Sequence, residues 1–598
     1  METWESFPAR ARVGNFTGFP ASRQRRLRAN RHKWGSSKLR AARGPGTAGL
    51  GEAILWYDTA WVKPWAFCWV CSPRRGATTA NKGMNQRLRN LKGCAVVLSL
   101  YAVATLPILR TFPPVWPDEV LFYSPAAALA RGQGMGTAVL AGFLPGMDRY
   151  TYWQPPGYFF CLSLILWLVA PAHHFLADRL FSWFLGVVVL VLGAATLKRL
   201  TANSGWAILG LVVLGTQVTF IQAANVGRME MLSLACVLAA LNAYLAYRQK
   251  SSLYLLAGSS FLAGLAMVCH TVGILAASLM VVHELALPQA GRRRAKEVLI
   301  FLGCILAALL PWIIYIAQAP DVFAAQMLAQ SARKSSYLST LLTSRGYMAW
   351  LRSPCELAIW PLGHRIGGVG GDSVWVPGLM LGVGVAALLA EGRRRVEASL
   401  LGTWALAGYA VNLFLPEFWY AVHFATPCCL LLGWAAAAPA KRWVRTLALT
   451  TLVFAAISNF GRAKLLWQIN QDGSRRYNLY CSTLERIIPP NSSVLLATIP
   501  DPYFGWLGEK KSYQIHEFVP EGIPVDNAQA EEALGKIDYV VGSACCRPDY
   551  LANYLLAHGR TEANLGERSF LSPPVVIWSL HAQPNPPLQR DEGKGVTK

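Results

Sequence analysis

The chain has 598 residues, of which 54% are hydrophobic and only 15% are charged. A soluble domain carries about 25% charged residues, and here the charges stand in short clusters between long apolar runs, which is typical of repeated membrane crossings. Much of the net charge of +24 lies near the N-terminus and in loops between apolar runs. This distribution is typical of cytoplasmic loops and argues against a nucleic-acid-binding protein.

The first 83 residues differ from the rest of the chain. Residues 1–83 are rich in Arg, Gly, Ser and Trp, without sustained periodicity and without a secretory h-region at the start. We expect a disordered or spurious extension. At Met84 a basic lead, MNQRLRNLKG, is followed directly by CAVVLSLYAVATLPIL. This order predicts a first transmembrane helix with a cytoplasmic N-terminus, and a working protein that begins at Met84.

Ten further apolar segments follow, most of them near the length that a bilayer core requires. Their approximate spans are 157–176, 179–197, 205–223, 231–247, 253–285, 297–317, 374–390, 398–415, 419–438 and 443–460. With the first helix they predict an all-α polytopic membrane protein of about eleven transmembrane helices. The predicted membrane domain is 84–461, and 462–598 follows it.

Basic clusters predict the orientation of these helices. The three largest clusters contain Arg292, Arg293, Arg294 and Lys296, then Arg393, Arg394 and Arg395, then Lys441, Arg442 and Arg445. An alternating count from a cytoplasmic Met84 places all three clusters inside. It also places two large loops, 111–156 and 318–372, outside.

Two smaller basic pairs contradict this count. Lys198 with Arg199, and Arg248 with Lys250, fall outside when every apolar segment is counted as one crossing. The positive-inside rule places such pairs in the cytoplasm. The assignment between the second and sixth helices is therefore the weakest part of the predicted topology.

The C-terminal part alternates strand-like and helix-like runs. The runs SVLLATI, DYVVGS and VVIWSL alternate in composition with helix-like segments at Asn527–Leu534 and Pro548–His558. This pattern predicts a small α/β domain. An odd number of crossings places that domain outside the cytoplasm.

Two adjacent carboxylates, Asp118 and Glu119, follow the first predicted helix in the stretch FPPVWPDEVLFYSPAAALARGQG. Acidic residues this close to hydrocarbon are costly, which favours a functional role. Aromatic residues surround them: Trp116, Phe122, Tyr123, Tyr150, Tyr152 and Trp153. Composition alone fits equally well an interfacial aromatic belt with a solvated acidic loop.

The order of these motifs resembles the C-type membrane glycosyltransferases, especially the protein O-mannosyltransferases and the lipid A aminoarabinose transferases of glycosyltransferase family 39 type. The resemblance covers about Met84 to Gly461. It is carried by the first helix, the Asp-Glu pair, a Tyr and an Ala-rich helix ending in Gly, and the aromatic-rich YTYWQPPGYFF before the next helix.

The resemblance implies a sugar donor linked to polyprenyl phosphate and a catalytic pair, with Asp118 as the catalytic carboxylate and Glu119 at the second acidic position. Many members have Lys before the two prolines to meet the donor phosphate, whereas this chain has Gln154. Another cation is then needed. The substrate-binding positions that we expect are Tyr123, Arg149, Gln154, Tyr420 and His423.

The chemistry of such a transfer can be derived separately. Attack at the anomeric carbon releases a phosphate monoester, whose second pKa near 6 makes it a good leaving group without a proton. The reaction needs one base for the acceptor hydroxyl and fixed positive charge for the phosphate. The candidate cations in the outer loops are Arg131, Arg149, Arg333, Lys334, Arg345, Arg352 and Arg365.

Other polar residues lie within or beside the apolar runs. Arg179 fits a position where the mannosyltransferases have Arg, and equally fits a helix-end charge. Arg228 and Glu230 fall on the cytoplasmic side by our count and read as a structural ion pair. His270 reads as a satisfied core histidine. No metal-ligand spacing and no phosphate-cradling Gly loop is found, so we expect no cofactor.

The function predicted from the sequence is transfer of a sugar from a polyprenyl-phosphate donor to an extracytoplasmic acceptor in the plasma or inner membrane. The alternative is a transporter or lipid flippase, for which an internal repeat is expected but not found by eye. A membrane scaffold whose tail binds a partner is a third possibility. The sugar and the acceptor, whether protein, lipid A or another lipid or glycan, stay open.

Overall fold

The computed structural model describes residues 92–140, 142–201, 205–286, 291–359, 375–390, 395–437, 441–471, 473–506, 513–519, 523, 525, 527–543, 548–565 and 575–580. The predicted extension 1–83 lies outside these residues.

Helices dominate the chain up to Ile487. The first seven are α1 (Lys92–Ile108), α2 (Pro117–Ala130), α3 (Gly157–Leu168), α4 (His174–Leu200), α5 (Ile208–Thr216), α6 (Val218–Asn225) and α7 (Glu230–Lys250). The next nine are α8 (Leu253–Cys269), α9 (Ile274–Ala286), α10 (Gly291–Ile316), α11 (Pro320–Ile359), α12 (Trp375–Ala390), α13 (Arg395–Phe414), α14 (Val422–Ala437), α15 (Arg442–Ile469) and α16 (Gly473–Ile487).

Five helical segments of the described chain are long and apolar enough to cross a membrane by themselves, and α5 with α6, bent by 62°, would make a sixth. The five are Pro171–Leu200, Glu230–Lys250, Ala295–Ile316, Phe418–Ala437 and Arg442–Gln468. Shorter apolar helices accompany them: Lys92–Ile108, Gly157–Leu168, Leu253–Cys269, Thr271–Leu285 and Val376–Ala390. The chain is thus a multi-pass membrane protein, and the count of eleven stays a prediction.

The segment 157–176, predicted as one crossing, is not a continuous helix. The helix α3 ends at Leu168 and α4 begins at His174. Tyr158, at the start of α3, donates a hydrogen bond to Asp178 in the first turns of α4 at 2.5 Å. The starts of both helices therefore lie at the same end of the bundle. Pro171 interrupts the apolar run, since proline is tolerated in a first helical turn but not in a helix interior.

The segment 253–285, predicted as one long helix, consists of two. Helix α8 ends at Cys269, and His270 adopts an extended conformation (φ −160°, ψ 142°). A 3₁₀ turn at Thr271–Gly273 then leads into α9. A side chain at Gly273 would collide with the backbone of Ala266, so the tight break requires glycine at this position.

Helices α4 and α7 lie side by side and run in the same direction. The Asn242 amide of α7 donates to the Thr196 hydroxyl of α4 at 2.8 Å, and Arg199 donates to Gln249 at 3.4 Å. The two basic pairs that contradict the predicted topology, at 198–199 and 248–250, therefore share one end of the bundle. Arg179 and Glu230, near the starts of α4 and α7, lie at the other end.

The C-terminal part carries a five-stranded sheet with strand order β2-β1-β3-β5-β4. Its strands are β1 (Ser493–Ala497), β2 (Gln514–Glu517), β3 (Tyr539–Ser543), β4 (Arg560–Asn564) and β5 (Val575–Ser579). Strand β1 pairs in parallel with β2 and β3, whereas β5 is antiparallel to β3 and β4. The accompanying helices are α17 (Tyr503–Trp506), α18 (Asn527–Leu534) and α19 (Asp549–His558).

Strands β1, β3 and β5 occupy the three runs that the sequence predicts, and β2 and β4 are additional. Strand β4, RTEAN, is polar and largely exposed, so it carries no apolar alternation. The last helix of the predicted membrane domain, α15, continues to Ile469, eight residues beyond the predicted domain end at 461.

The sheet packs on both faces. Leu495 and Val540 share an apolar core with Val120, Leu121 and Phe143 of the first large loop. The opposite face packs against α16 through residues such as Tyr480 and Leu484. The sheet therefore lies directly against the loop that contains Asp118 and Glu119.

Candidate active site

The two adjacent carboxylates lie in the first turn of α2. Pro117 is the first helical residue, and Asp118 and Glu119 follow it. This arrangement favours the helix, because proline is preset for the first turn and acidic side chains interact well with a helix N-terminus. The backbone N–H of Trp116 donates to Glu119 Oε2 at 3.0 Å. Successive helical residues point about 100° apart, so the two carboxylates enter different surroundings.

Glu119 is fully buried and surrounded by donors. Arg179 binds it in a bidentate fashion, with Nε to Oε1 at 2.9 Å and Nη2 to Oε2 at 2.7 Å. The backbone N–H of Gly227 donates to Oε1 at 3.0 Å. Arg179 also donates to the carbonyl oxygen of Leu109 at 2.9 Å. Glu119 and its partner Arg179 therefore link α2, α4, the residue that follows α1 and the segment before α7.

Asp118 has a different environment. Its side chain is 16% exposed and forms an ion pair with Arg228. Arg228 also donates to Glu230 at 2.7 and 3.2 Å, and its guanidinium lies 4.3 Å from the ring centroid of Trp419. Asp118 therefore keeps partial access to solvent and to a ligand, while Arg228 is held by other partners.

Arg228 and Glu230 lie at the same end of the helix bundle as Asp118, whereas the count from the sequence placed them on the opposite side of the membrane. The ion pair with Asp118 places all three residues at one end of the bundle. The sequence count treats 157–176 as one membrane crossing. This extra crossing reverses the predicted direction of every following helix up to α7. Correcting α3 places Arg228 beside the acidic loop.

A second charged group lies close to the first. Lys334, on α11, forms an ion pair with Glu417 and lies 3.3 Å from the Tyr420 hydroxyl. Arg333 is 3.5 Å from the same carboxylate. Burial opposes ionisation of Glu417, but Lys334 and Arg333 hold its pKa down at about 2. Burial lowers the pKa of Lys334, an effect that the charges of Glu417 and Asp118 partly offset.

Helix α11 is fixed to the first large loop by Gln326. Its Oε1 accepts hydrogen bonds from the backbone N–H groups of Tyr152 (2.8 Å) and Trp153 (3.1 Å). Its Nε2 donates to the carbonyl oxygens of Pro145 (3.2 Å) and Tyr150 (3.0 Å). Gln326 is buried. Its four hydrogen bonds fix the position of α11 two turns before Arg333 and Lys334.

Tyr420 and His423, both expected to bind substrate, are buried at this end of the bundle. The ring of Tyr420 lies 5.0 Å from that of His270, and the rings of His270 and His423 lie 6.5 Å apart, nearly parallel. His270 Nδ1 accepts from the Val272 N–H at 3.0 Å, but its Nε2 and both nitrogens of His423 have no hydrogen-bond partner among the described residues. His270 is thus only partly satisfied.

The other expected substrate-binding residues lie apart from these charges. Tyr123 bonds His174 Nδ1 through its hydroxyl at 2.7 Å and packs against Tyr503 and Phe504 of α17. Gln154 is half-buried just before α3. The Arg149 side chain is 80% exposed and forms an ion pair with Asp148 at 3.6 Å. No contact of these three residues with Asp118 is found in the described part of the chain.

Of the candidate cations, the structure brings Arg333 and Lys334 to the site. Arg131 is exposed and donates to Gln133 at 2.9 Å. Arg352 is exposed and pairs with Glu356 at 2.8 Å. Arg365 and the side chain of Arg345 lie outside the described residues. Among the described residues, no group of three His, Cys, Asp or Glu is placed to hold a metal ion.

Sequence reasoning missed Glu417, which organises both Lys334 and Arg333. A signal was present in LPEFWY, since an acidic residue directly before an apolar run is costly near hydrocarbon. The arrangement can perform acid–base and electrostatic chemistry. Asp118 can accept a proton, and Arg333 and Lys334 can bind an anion that competes with Glu417.

No family model matches the chain, and no curated protein is similar to it in sequence. Solved structures similar to this chain include three that share 12–14% of its sequence. One is ArnT from Cupriavidus metallidurans bound to undecaprenyl phosphate (TM-score 0.49, 14% identity, 82% of this chain and 98% of that chain). The apo state of ArnT gives a TM-score of 0.42 at 14% identity over 84% and 98% of the chains. The apo oligosaccharyltransferase of Archaeoglobus fulgidus gives 0.42 at 12% identity over 75% and 69%.

Proposed function

We propose that the protein is a membrane glycosyltransferase that moves a sugar from a polyprenyl-phosphate donor to an extracytoplasmic acceptor, with Asp118 as general base. The observation that carries the proposal is the contrast between a partly accessible carboxylate, Asp118, and the nearby cations Lys334 and Arg333. The donor class is the one that the sequence resemblance implies.

The reaction is a single displacement. The acceptor hydroxyl oxygen forms a bond to the anomeric carbon, and Asp118 takes the hydroxyl proton. The bond from the anomeric carbon to the phosphate oxygen breaks, and its electron pair leaves with the polyprenyl phosphate. The phosphate needs no proton because its second pKa is near 6. Lys334 and Arg333, held beside Glu417 before the donor binds, stabilise the departing anion.

The corrected helix order supports a consistent topology. The eleven crossings that we propose are α1, α4, α5 with α6, α7, α8, α9, α10, α12, α13, α14 and α15. Helices α2, α3 and α11 then lie at the extracytoplasmic surface with the C-terminal sheet. In this arrangement the pairs at 198–199 and 248–250 join the three larger basic clusters in the cytoplasm, as the positive-inside rule requires.

A transporter or flippase remains the alternative function. In such proteins the substrate site lies near the bilayer midplane, between repeats. Here Asp118 and Arg228 lie where α2 begins and where α7 is about to begin, at one end of the helices. Chemistry at the membrane surface fits this position better than passage through the bilayer.

The decisive experiment measures sugar transfer by the full chain in lipid nanodiscs. Polyprenyl-phosphate donors carrying mannose, glucose, aminoarabinose or galacturonic acid would be supplied with a membrane extract as acceptor source. We expect release of polyprenyl phosphate from one donor. In Asp118→Asn this release should fall about 10²–10⁴-fold, the usual contribution of a general base.

The matched control is Asp148→Asn, an exposed carboxylate on the same loop, which should keep wild-type activity. Folding of Asp118→Asn is checked by melting, and it should be retained because Arg228 keeps Glu230. Wild-type turnover in a folded Asp118→Asn protein would refute the role of Asp118. Translocation of a labelled polyprenyl lipid without any sugar transfer would favour the flippase instead.

A further inference from the structure

Two buried carboxyl groups face each other at the edge of the C-terminal sheet. Asp501 lies in the loop after β1, and Glu517 ends β2, the strand that pairs in parallel with β1. Both residues are fully buried, and each carboxyl group shifts the pKa of the other, as expected for side chains that lie close together. They therefore lie at the carboxyl ends of adjacent parallel strands, where α/β sheets commonly place functional groups.

These carboxyl oxygens have few donors. Asp501 Oδ1 accepts a hydrogen bond from the backbone N–H of Tyr503 at 2.8 Å. Asp501 Oδ2 and both oxygens of Glu517 have no hydrogen-bond donor among the described residues. Two ionised carboxylates in such a place would repel strongly, so the pair must hold at least one proton.

The pair is joined to the segment that carries the proposed base. The backbone N–H of Asp501 donates to the carbonyl oxygen of Val115 at 2.9 Å, three residues before Asp118. The Tyr477 hydroxyl of α16 donates to the carbonyl oxygen of Asp501 at 2.7 Å. Asp501 thus has a fixed backbone that in turn holds the start of α2.

We propose that Asp501 and Glu517 are positioning residues, and that a carboxylic acid–carboxylate hydrogen bond between them holds the Val115–Asp118 segment in its reactive position. The inference rests on the proposed function, because it concerns the placement of Asp118 for that reaction. The hydrogen bond needs one shared proton, so loss of that proton at high pH releases the segment.

The surrounding charges strengthen this requirement. The titratable groups around the pair are Asp118 and Glu119 of α2, Tyr477 and Cys481 of α16, Tyr503 of α17 and the neighbouring His516 of β2. Burial raises the pKa of Asp501 to about 7 and, with the negative charge of Asp501, raises that of Glu517 well above its usual range. A doubly ionised pair would add negative charge beside the acidic residues of α2, which opposes contact between the sheet and the loop.

The sign of the effect on stability follows from these directions. The folded state binds protons more tightly than the unfolded chain, whose carboxyl pKa values are near 4. The stabilisation is therefore complete at acidic pH and declines as the pH rises through about 7 and above. An amide in place of one carboxyl removes this dependence, because it donates a hydrogen bond at every pH.

The test compares Glu517→Gln, Glu517→Leu and wild type in the full-length protein. Glu517→Leu should lower kcat/KM about tenfold or more at all pH values, because misplacement of a reacting group by about 1 Å can cost 10²-fold. Glu517→Gln should restore activity at neutral pH. The ratio of kcat/KM for Glu517→Gln to that for wild type should rise about tenfold or more between pH 7 and 10, since one lost proton changes a rate up to tenfold per pH unit.

Hydrogen exchange of the peptide covering 112–119, corrected for intrinsic rates, gives a readout that does not depend on transfer. Exchange should increase with pH in wild type and stay flat in Glu517→Gln. The matched control is Glu532→Gln on the exposed face of α18, which should follow wild type.

A constant activity ratio or unchanged exchange would overturn the proposal. So would a divalent-cation requirement that Glu517→Gln abolishes, because it would make the pair a metal site. If wild type transfers no sugar, the proposed function fails, whereas the exchange measurement still decides the positioning role.

Discussion

Asp118 and Glu119 are neighbours in the chain, yet their surroundings differ in almost every physical respect. Glu119 is fully buried, with one guanidinium and two backbone N–H groups as donors. Asp118 is partly exposed, and its cation is shared with Glu230. One carboxylate holds helices together, and the other remains available.

The difference shows how a membrane protein can place an available charge near hydrocarbon. The saturated Glu119–Arg179 pair fixes the start of α2, so Asp118 needs no strong partner of its own to hold its position. Buried ion pairs contribute little net stability but are costly to break. Rigidity around Glu119 therefore supports the role proposed for Asp118.

The largest effect on stability is expected from Glu119→Gln. Removing one charge leaves Arg179 buried and uncompensated, which typically costs about 3–5 kcal/mol. Asp118→Asn should cost less than about 1 kcal/mol, because its partner Arg228 keeps Glu230. Unfolding in detergent micelles measures both free energies. Equal losses in the two variants would contradict the proposed division of roles.

A smaller loss is expected from Gly227→Ala. The Cβ of an alanine at this position would collide with the Asp178 carboxylate, while the Gly227 N–H must still reach Glu119. Such overpacking costs about 1–3 kcal/mol. The control is Gly303→Ala on α10, where nothing lies within 4 Å of the added Cβ. A Gly227→Ala protein as stable as this control would show that the backbone can move without loss.

On the Asp118 side, Lys334→Gln should weaken donor binding. We expect KM for the polyprenyl-phosphate donor to rise about tenfold, which corresponds to about 1.4 kcal/mol. The change should shrink at high salt, because charge interactions are screened. The control is Arg352→Gln, an exposed residue of α11 that lies beyond the helix break at Gly346. An unchanged KM in Lys334→Gln would remove Lys334 from the phosphate site.

The smallest effect is expected from Arg149→Ala. The Arg149 side chain is 80% exposed beside Asp148, and surface ion pairs contribute little. Turnover should change less than about twofold and the free energy of unfolding by less than about 0.5 kcal/mol. A tenfold loss of activity would instead extend the substrate site to this part of the loop.

The local features of this chain could be predicted from its sequence, but the pairing of distant features could not. The acidic pair, the aromatic loop and three of the five strands follow from composition and periodicity. Which residues meet depends on the direction in which each helix crosses the membrane. The single misassigned segment 157–176 placed Arg228 on the side opposite to Asp118, its actual partner. Pro171 was the available signal.

Other residues escaped prediction because their meaning depends on tertiary contact. From the sequence alone, Arg179 could equally be an unpaired charge at a helix end. Only the folded structure shows that it binds Glu119. Asp501 follows a strand in LLATIPDP, a position that suggests function in a parallel sheet. Nothing in the sequence shows that this strand end meets Val115.

The hydrogen bond from Asp501 to Val115 also has a consequence during biosynthesis. The ribosome makes the acceptor roughly 390 residues before the donor, and at about 5–20 residues per second this delay is about 20–80 s. During that interval the carbonyl oxygen of Val115 lacks its hydrogen-bond donor, the backbone N–H of Asp501. Nascent chains that end before the sheet lack this hydrogen bond, so the activity proposed for Asp118 requires synthesis of the C-terminal part of the polypeptide.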